Sequence, residues 1–360
     1  MIVKSIVNTI VVKIGTNALL TKDGSVHKKR IVDIVNQIAD LDKNGIKVIL
    51  VSSGAMGFAK ALIPNSKSRN PVEERQLLAS VGQVELMLAY KKAFGTRKIT
   101  IAQVLATKDD FRSREHYLNM KQCFEILLKE GVIPIVNEND VVSVEELMFT
   151  DNDELAGLVA SMIHADALIM LTCVDGVLLD FTDPSSPVVE IIKPNSSIKI
   201  PRCKGKSSFG RGGMETKLQV AKKLSAVGIT THIVNASEEN ILERILSGEK
   251  IGTTILPKRV KASGTQRWLA SSATSHNGSV ILDKGAEKVM MSDSPSNLLP
   301  VGIKSFTGDF KKGDVVCVAN LSGKVIGMGK AAYDSATLKK NLGKRSQLPF
   351  IRTAYFAPLS

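Results

Sequence analysis

Gly210, Arg211, Gly212, Gly213, Met214, Glu215, Thr216 and Lys217 set two adjacent glycines before an apolar helical period, Met214, Leu218, Ala221 and Leu224. Glycines let the backbone approach a ligand. The first turn of a helix has N–H groups without partners and a partial positive charge, so the stretch suits a phosphate. Lys217 lies one turn in and can bring an ammonium to the same phosphates. The spacing is not that of the G-x-x-x-x-G-K-[ST] loop. The same residues also read as a flexible loop before a helix.

A second group runs from Asn137 to Asp153: Asn137, Glu138, Asn139 and Asp140, then Asp151, Asn152 and Asp153. Amides and carboxylates after a strand can hold the two ends of a small zwitterion, or order Mg²⁺ directly or through water. They also suit turns and helix caps, and Asp151 suits the cap of a helix starting near Glu154. Lys13 ends an apolar strand run, where it can reach a phosphate at the sheet edge or stay solvated. Ser52, Ser53, Gly54 and Ala55 offer backbone and hydroxyl donors at another strand end, or a plain turn. With five histidines and no His/Cys spacing, zinc sites and Ser-His-Asp or Cys-His pairs have no support. No G-x-G-x-x-G fingerprint occurs. Phosphate cradles, lysines and acids without a nucleophile fit phosphoryl transfer, where a protein mainly positions groups and neutralises charge.

The elements that must hold these residues follow from periodicity. Val- and Ile-rich runs at 9–14, 46–51, 99–105, 132–136, 167–172 and 229–234 read as strands. Helical patterns lie at 27–41, 75–94, 116–129, 154–164 and 218–227. The alternation predicts an α/β fold with a mainly parallel sheet sandwiched by helices. Ligands bind beyond the carboxyl ends of such strands, where the polar and glycine residues above all fall. After Gly252 the pattern changes to short strands at 279–283, 315–319 and 324–328, a small β-rich, barrel-like module with little helix. The expected domains are 1–257, a linker at 258–263, and 264–360.

Composition is that of an ordinary globular chain, with 360 residues, 44% hydrophobic and 23% charged. No apolar run is long enough for a membrane span and no signal-peptide pattern opens the chain. Cys123, Cys173, Cys203 and Cys317 are scattered without metal spacing, which predicts reduced thiols in a cytoplasm rather than a disulfide framework. The net charge is +13, and from Gly264 onward thirteen basic residues face six acidic ones, a local +7. That excess can attract nucleic acid or simply solvate the surface, and scarce aromatics argue against base stacking.

Six stretches in order are VVKIGTNAL from Val11, VSSGAMGFA from Val51, LLASVGQ from Leu77, IPIVNENDVV from Ile133, DNDELAGLVA from Asp151 and GRGGMETKLQVA from Gly210. With them the chain resembles, nearly end to end, the glutamate 5-kinases (γ-glutamyl kinases) of the amino-acid kinase superfamily. The segments from Asn297 to Ser305 and Gly308 to Phe310 resemble the PUA domain many of them carry. The resemblance implies ATP as phosphoryl donor, Mg²⁺, L-glutamate as acceptor and an acyl phosphate product on the way to proline. Lys13 matches the lysine that contacts the transferring group, Lys217 the second lysine, and Asp153 the acid that orients both. Ser53, Asp140 and Asn152 match glutamate-binding positions, with Asn137 of the same cluster added to them. Thr172, Cys173 and the run Arg211, Gly212, Gly213, Met214, Glu215, Thr216 and Lys217 match ATP-binding segments. Cys173 stands where relatives often have Asp, and Arg211 where a smaller residue is common. The family also implies a homo-oligomer, L-proline as a feedback ligand and hand-over of product to glutamyl-phosphate reductase. Two rivals remain: a kinase for another small acid, such as aspartate or N-acetylglutamate, and an RNA-binding protein built around the basic C-terminal module.

Overall fold

The computed structural model describes residues 7–21, 24–63, 70–143, 149, 151–180, 183, 185–194, 213–258, 263–271, 278–292, 295–345 and 348–358. The chain divides into two compact units, Met1–Ser225 with Ile229–Lys258, and Arg259–Ser360 with the short stretch Ala226–Gly228.

The first unit runs β1 (Thr9–Ile14), α1 (Thr16–Leu19), α2 (Lys28–Lys43), β2 (Lys47–Ser52), α3 (Ala55–Leu62), α4 (Pro71–Gly95), β3 (Ile101–Ala106), α5 (Lys108–Arg112), α6 (Arg114–Lys129), β4 (Ile133–Glu138), α7 (Asn152–Ile163), β5 (Ala167–Thr172), β6 (Ile191–Ile192), α8 (Met214–Ala226), β7 (Thr230–Asn235), α9 (Ile241–Leu246) and β8 (Thr253–Ile255). The strands form one sheet in the order β3-β4-β2-β1-β5-β7-β8-β6. All its pairs are parallel except β7 with β8. Strands covered on both faces need no polar alternation, which is why β1, β4 and β5 carry the consecutive apolar residues 10–12, 133–136 and 167–171 and are buried almost throughout.

Side chains alternate across the sheet. Ile10, Val12 and Ile14 of β1 join Val48, Leu50, Ile133, Ile135, Ile169 and Leu171 in one core with α2, α4 and α9. Lys13 therefore faces the other way, toward the side on which α7 packs against β1, β2, β4 and β5. Two glycines allow the close fits this requires. Gly54, with φ +100°, turns the chain from β2 into α3. A Cβ on Gly82 would come within 1.7 Å of the Ala55 carbonyl oxygen, so α4 meets α3 at backbone contact.

The second unit holds α10 (Gly264–Ser271), β9 (Ser279–Leu282), α11 (Lys284–Met290), β10 (Ile303–Thr307), β11 (Val315–Ala319), β12 (Val325–Lys330), α12 (Ser335–Asn341) and β13 (Phe356–Pro358). Its sheet has the order β10-β9-β11-β12-β13. A separate core of Val280, Leu282, Phe310, Val316, Phe350 and Phe356 fills it. The three short helices exceed what the apolar pattern predicted. α11 and α12 are each started by an aspartate cap, Asp283 and Asp334, rather than by long periodicity.

Candidate active site

Asp153 is fully buried, and its two oxygens meet two lysines. Oδ1 lies 2.6 Å from Lys13 Nζ, and Oδ2 lies 2.8 Å from Lys217 Nζ. Each element contributes one member. β1 carries Lys13 one residue before its end, α7 carries Asp153 in its first turn, and α8 carries Lys217 in its first turn. Burial favours the neutral acid, but the two ammonium groups outweigh it and hold the Asp153 carboxyl below its ordinary value.

α7 starts where it does because Asp151 caps it. Asp151 Oδ1 accepts from the backbone N–H groups of Asp153 and Glu154 at 3.0 and 3.1 Å. The helix thus opens at Asn152, two residues before the expected start, and presents Asn152 and Asp153 from its first turn. Asp151 Oδ2 is buried and has no hydrogen-bond partner among the described residues. Burial, and then the charge of Asp153, push the Asp151 carboxyl up to about 6.

Asn152 is the centre of an amide network. Its Nδ2 donates to Asn137 Oδ1 at 2.8 Å and to Ser53 Oγ at 2.9 Å, with the Ser52 carbonyl at 3.3 Å. Asn137 Nδ2 in turn donates to Gln83 Oε1 of α4 at 2.9 Å, while the backbone N–H of Glu138 donates to Asn137 Oδ1. Below the site, Ser52 Oγ and Tyr90 Oη lie 2.9 Å apart, and burial raises the Tyr90 hydroxyl pKa.

Asp140 sits on the turn after β4, 3.7 Å from Arg75 Nε. Arg75 Nη2 also donates to the Ser143 carbonyl, and Gln76 Nε2 to that of Val141 at 2.7 Å. The start of α4 therefore grips this turn at three points. Glu138 Oε1 accepts from the Phe149 N–H at 3.0 Å, and Phe149 packs edge-on against Phe111, anchoring the approach to Asp151.

Lys13, Lys217, Asp153, Asn152, Asn137 and Ser53 thus come together at the carboxyl edge of the sheet. Asp140 lies on the turn beyond β4, a strand of that same edge. Thr172 ends β5 with its hydroxyl tied to its own turn, accepting from Val174 N at 3.1 Å and donating to Val174 O at 2.7 Å. Cys173 follows it and is exposed. Gly213 precedes α8, whose first residues are Met214, Glu215, Thr216 and Lys217, and Glu215 pairs with Gln219 at 3.3 Å. Arg211 and Gly212 lie outside the described residues. Gln83 closes the stretch LLASVGQ but carries no role in the sequence reading, and Arg75 stands in the polar run 73–76; the partner across the site gives each its role.

Two fixed ammonium groups, a helix N-terminus and a polar amide pocket at one sheet edge can hold a polyanion beside a small acid. A family model, the amino acid kinase family, matches residues 8–235, and a PUA domain model matches residues 278–348. The chain is 44% identical over 344 residues to the glutamate 5-kinase of Chlorobaculum tepidum, covering 95% of each. It is 40% identical over 349 residues to that of Bacteroides thetaiotaomicron, covering 96% of this chain and 97% of the relative. Among solved structures, carbamate kinase from Giardia lamblia bound to AMP-PNP is similar with TM-score 0.51 and 19% identity, over 70% of this chain and 99% of the other. UMP kinase from Bacillus anthracis is similar with TM-score 0.50 and 19% identity, over 69% and 96%. These two likenesses concern the fold alone.

Proposed function

The chain belongs to the amino acid kinase family, and from that membership we infer that it transfers the γ-phosphoryl group of ATP to the side-chain carboxylate of L-glutamate. The products are L-glutamyl 5-phosphate and ADP, and the reaction is the first step toward proline. A carboxylate oxygen attacks the γ-phosphorus. The bond from phosphorus to the β–γ bridging oxygen breaks, and its electron pair leaves with ADP. No general base is required, because the nucleophile is already an anion.

The observation that carries this reading is Asp153 held between Lys13 and Lys217 at 2.6 and 2.8 Å. The barrier in bringing two anions together is charge repulsion. Two ammonium groups fixed in a dry site offset it more than solvated ones would. We assign Lys13 and Lys217 to the transferring phosphoryl group and Asp153 to their orientation. The Gly213–Lys217 turn supports ATP phosphates, and Ser53, Asn137, Asp140 and Asn152 support glutamate. Mg²⁺ ordinarily binds through one or two carboxylates plus substrate phosphates. Asp151 Oδ2, which has no partner among the described residues, fits that donor set, so Asp151 together with the ATP phosphates would hold Mg²⁺, which would neutralise phosphate charge.

From the resemblance we also carry forward a cytoplasmic homo-oligomer with L-proline as feedback ligand and glutamyl-phosphate reductase as the receiving enzyme. RNA binding by the PUA unit is a second reading, supported by its local charge of +7 and tested by salt-sensitive binding at low ionic strength. Among the described residues no helix is long and apolar enough to cross a membrane. The deciding assay is ATP with a panel of acids and hydroxylamine, which traps an acyl phosphate as a hydroxamate. Glutamate is expected to yield hydroxamate well above aspartate or N-acetylglutamate, with proline lowering the rate. A preference for another acid would overturn the substrate assignment.

A further inference from the structure

Gln83 lies on α4, outside every stretch assigned above to ATP or glutamate, yet the amide network begins at its side chain. Its Oε1 accepts from Asn137 Nδ2 at 2.9 Å. Asn137 is buried, so this contact decides where its amide nitrogen goes. With the nitrogen held by Gln83 and the Glu138 N–H held by Oδ1, Asn137 presents that oxygen to Asn152 Nδ2 at 2.8 Å. The other hydrogen of the Asn152 amide goes to Ser53 Oγ at 2.9 Å. An amide nitrogen only donates, so Ser53 Oγ must accept, and its own hydrogen is left to donate. No described residue accepts it. At the far end, Gln83 Nε2 is a buried donor that also has no acceptor among the described residues. A buried donor without a partner is a place for a ligand oxygen.

We propose that Gln83 is a positioning residue which, through Asn137 and Asn152, sets the Ser53 hydroxyl as a donor toward a carboxylate oxygen of the bound amino acid. The direction of the whole chain of amides makes this end of the site read carboxylate oxygen rather than ammonium. Without Gln83 Oε1, the buried Asn137 Nδ2 loses its acceptor. The Asn137 amide then carries a buried N–H without an acceptor and is no longer held from that side, which loosens the bond of its Oδ1 to Asn152 Nδ2.

The inference rests on the glutamate kinase reading, and the test separates the two. The wild-type chain is first assayed with ATP and glutamate by hydroxamate trapping; no product there sinks the reading itself. With wild-type activity in hand, Gln83→Leu and Gln83→Met are compared, since both keep much of the side-chain volume, Met also the length, and both lose the acceptor. Each is expected to raise KM for glutamate at least about tenfold, with KM for ATP within about twofold of wild type. Two variants guard against one folding poorly, and thermal melts check both. Asn137→Ala, alone and combined with Gln83→Leu, completes a cycle: the double variant is expected to be no worse than Asn137→Ala alone. An unchanged glutamate KM in Gln83→Leu overturns the proposal. So does an equal rise in KM for ATP, or multiplied effects in the double variant.

Discussion

Asp151 and Asp153 stand two positions apart at the head of α7, and their surroundings push them in opposite directions. For Asp151 the folded value, about 6, lies above the unfolded one. Between the two values the native state binds more protons, so its contribution to stability is greatest at low pH and falls as pH rises through about 6. For Asp153 the folded value is depressed. Its contribution is present above the unfolded value and is lost as pH falls through the lowered one. Asp151→Asn keeps a capping oxygen and removes the first titration. Relative to this variant, wild type is expected to lose melting temperature as pH rises from about 4 to about 6 and to level off above that; parallel curves would contradict the assignment. Lys13→Ala and Lys217→Ala each leave Asp153 short of a partner in a site with almost no solvent. Each is expected to lower kcat by about a hundredfold or more with the fold retained. Circular dichroism beside the hydroxamate rate checks this, and near-normal turnover in both would remove the lysines from the mechanism.

The distance from Lys217 to Asp153 is set by how closely α8 lies beside α7. A Cβ on Gly157 would come within 2.5 Å of Val220 Cγ1, so this glycine fixes the helix spacing just below the ion pairs. Gly157→Ala is expected to push α8 outward and cut kcat, while Gly157→Ala with Val220→Ala regains much of it. Steady-state rates of the single and double variants check the pair, and failure of the second change to rescue the first would count against a simple steric account. Which elements could be read beforehand follows from the same packing. β1 and β5 match their predicted runs because both faces are buried and Val, Ile, Leu and Met fill most of each strand. α3, with the sequence AMGFAKAL, has no legible period because it is short and has glycine and apolar residues on several sides. The edge pairing of β8 against β7 could not be read, since three residues carry no period. In the site, the acids and lysines were legible as charges in apolar surroundings. The roles of Arg75 and Gln83 were not, because a polar residue in a helix looks the same whether it faces solvent or a partner.

At the scale of the whole molecule, the two units have separate cores, and every described residue placed in the chemistry belongs to the first. A chain ending at Lys258 is therefore expected to retain phosphoryl transfer to glutamate, measured by the same trapping assay. Complete loss in a shortened chain that still gives a cooperative melt would tie the second unit to turnover.

Lys13, Asp153 and Lys217 are supplied by distant stretches of the chain and meet only through β1, α7 and α8. No local segment carries even a partial version of the charge pattern. During refolding, catalysis should return in a single late phase that follows formation of the long-range contacts rather than the early helical signal. The enzyme's own product formation is then a clock for the last step of its assembly.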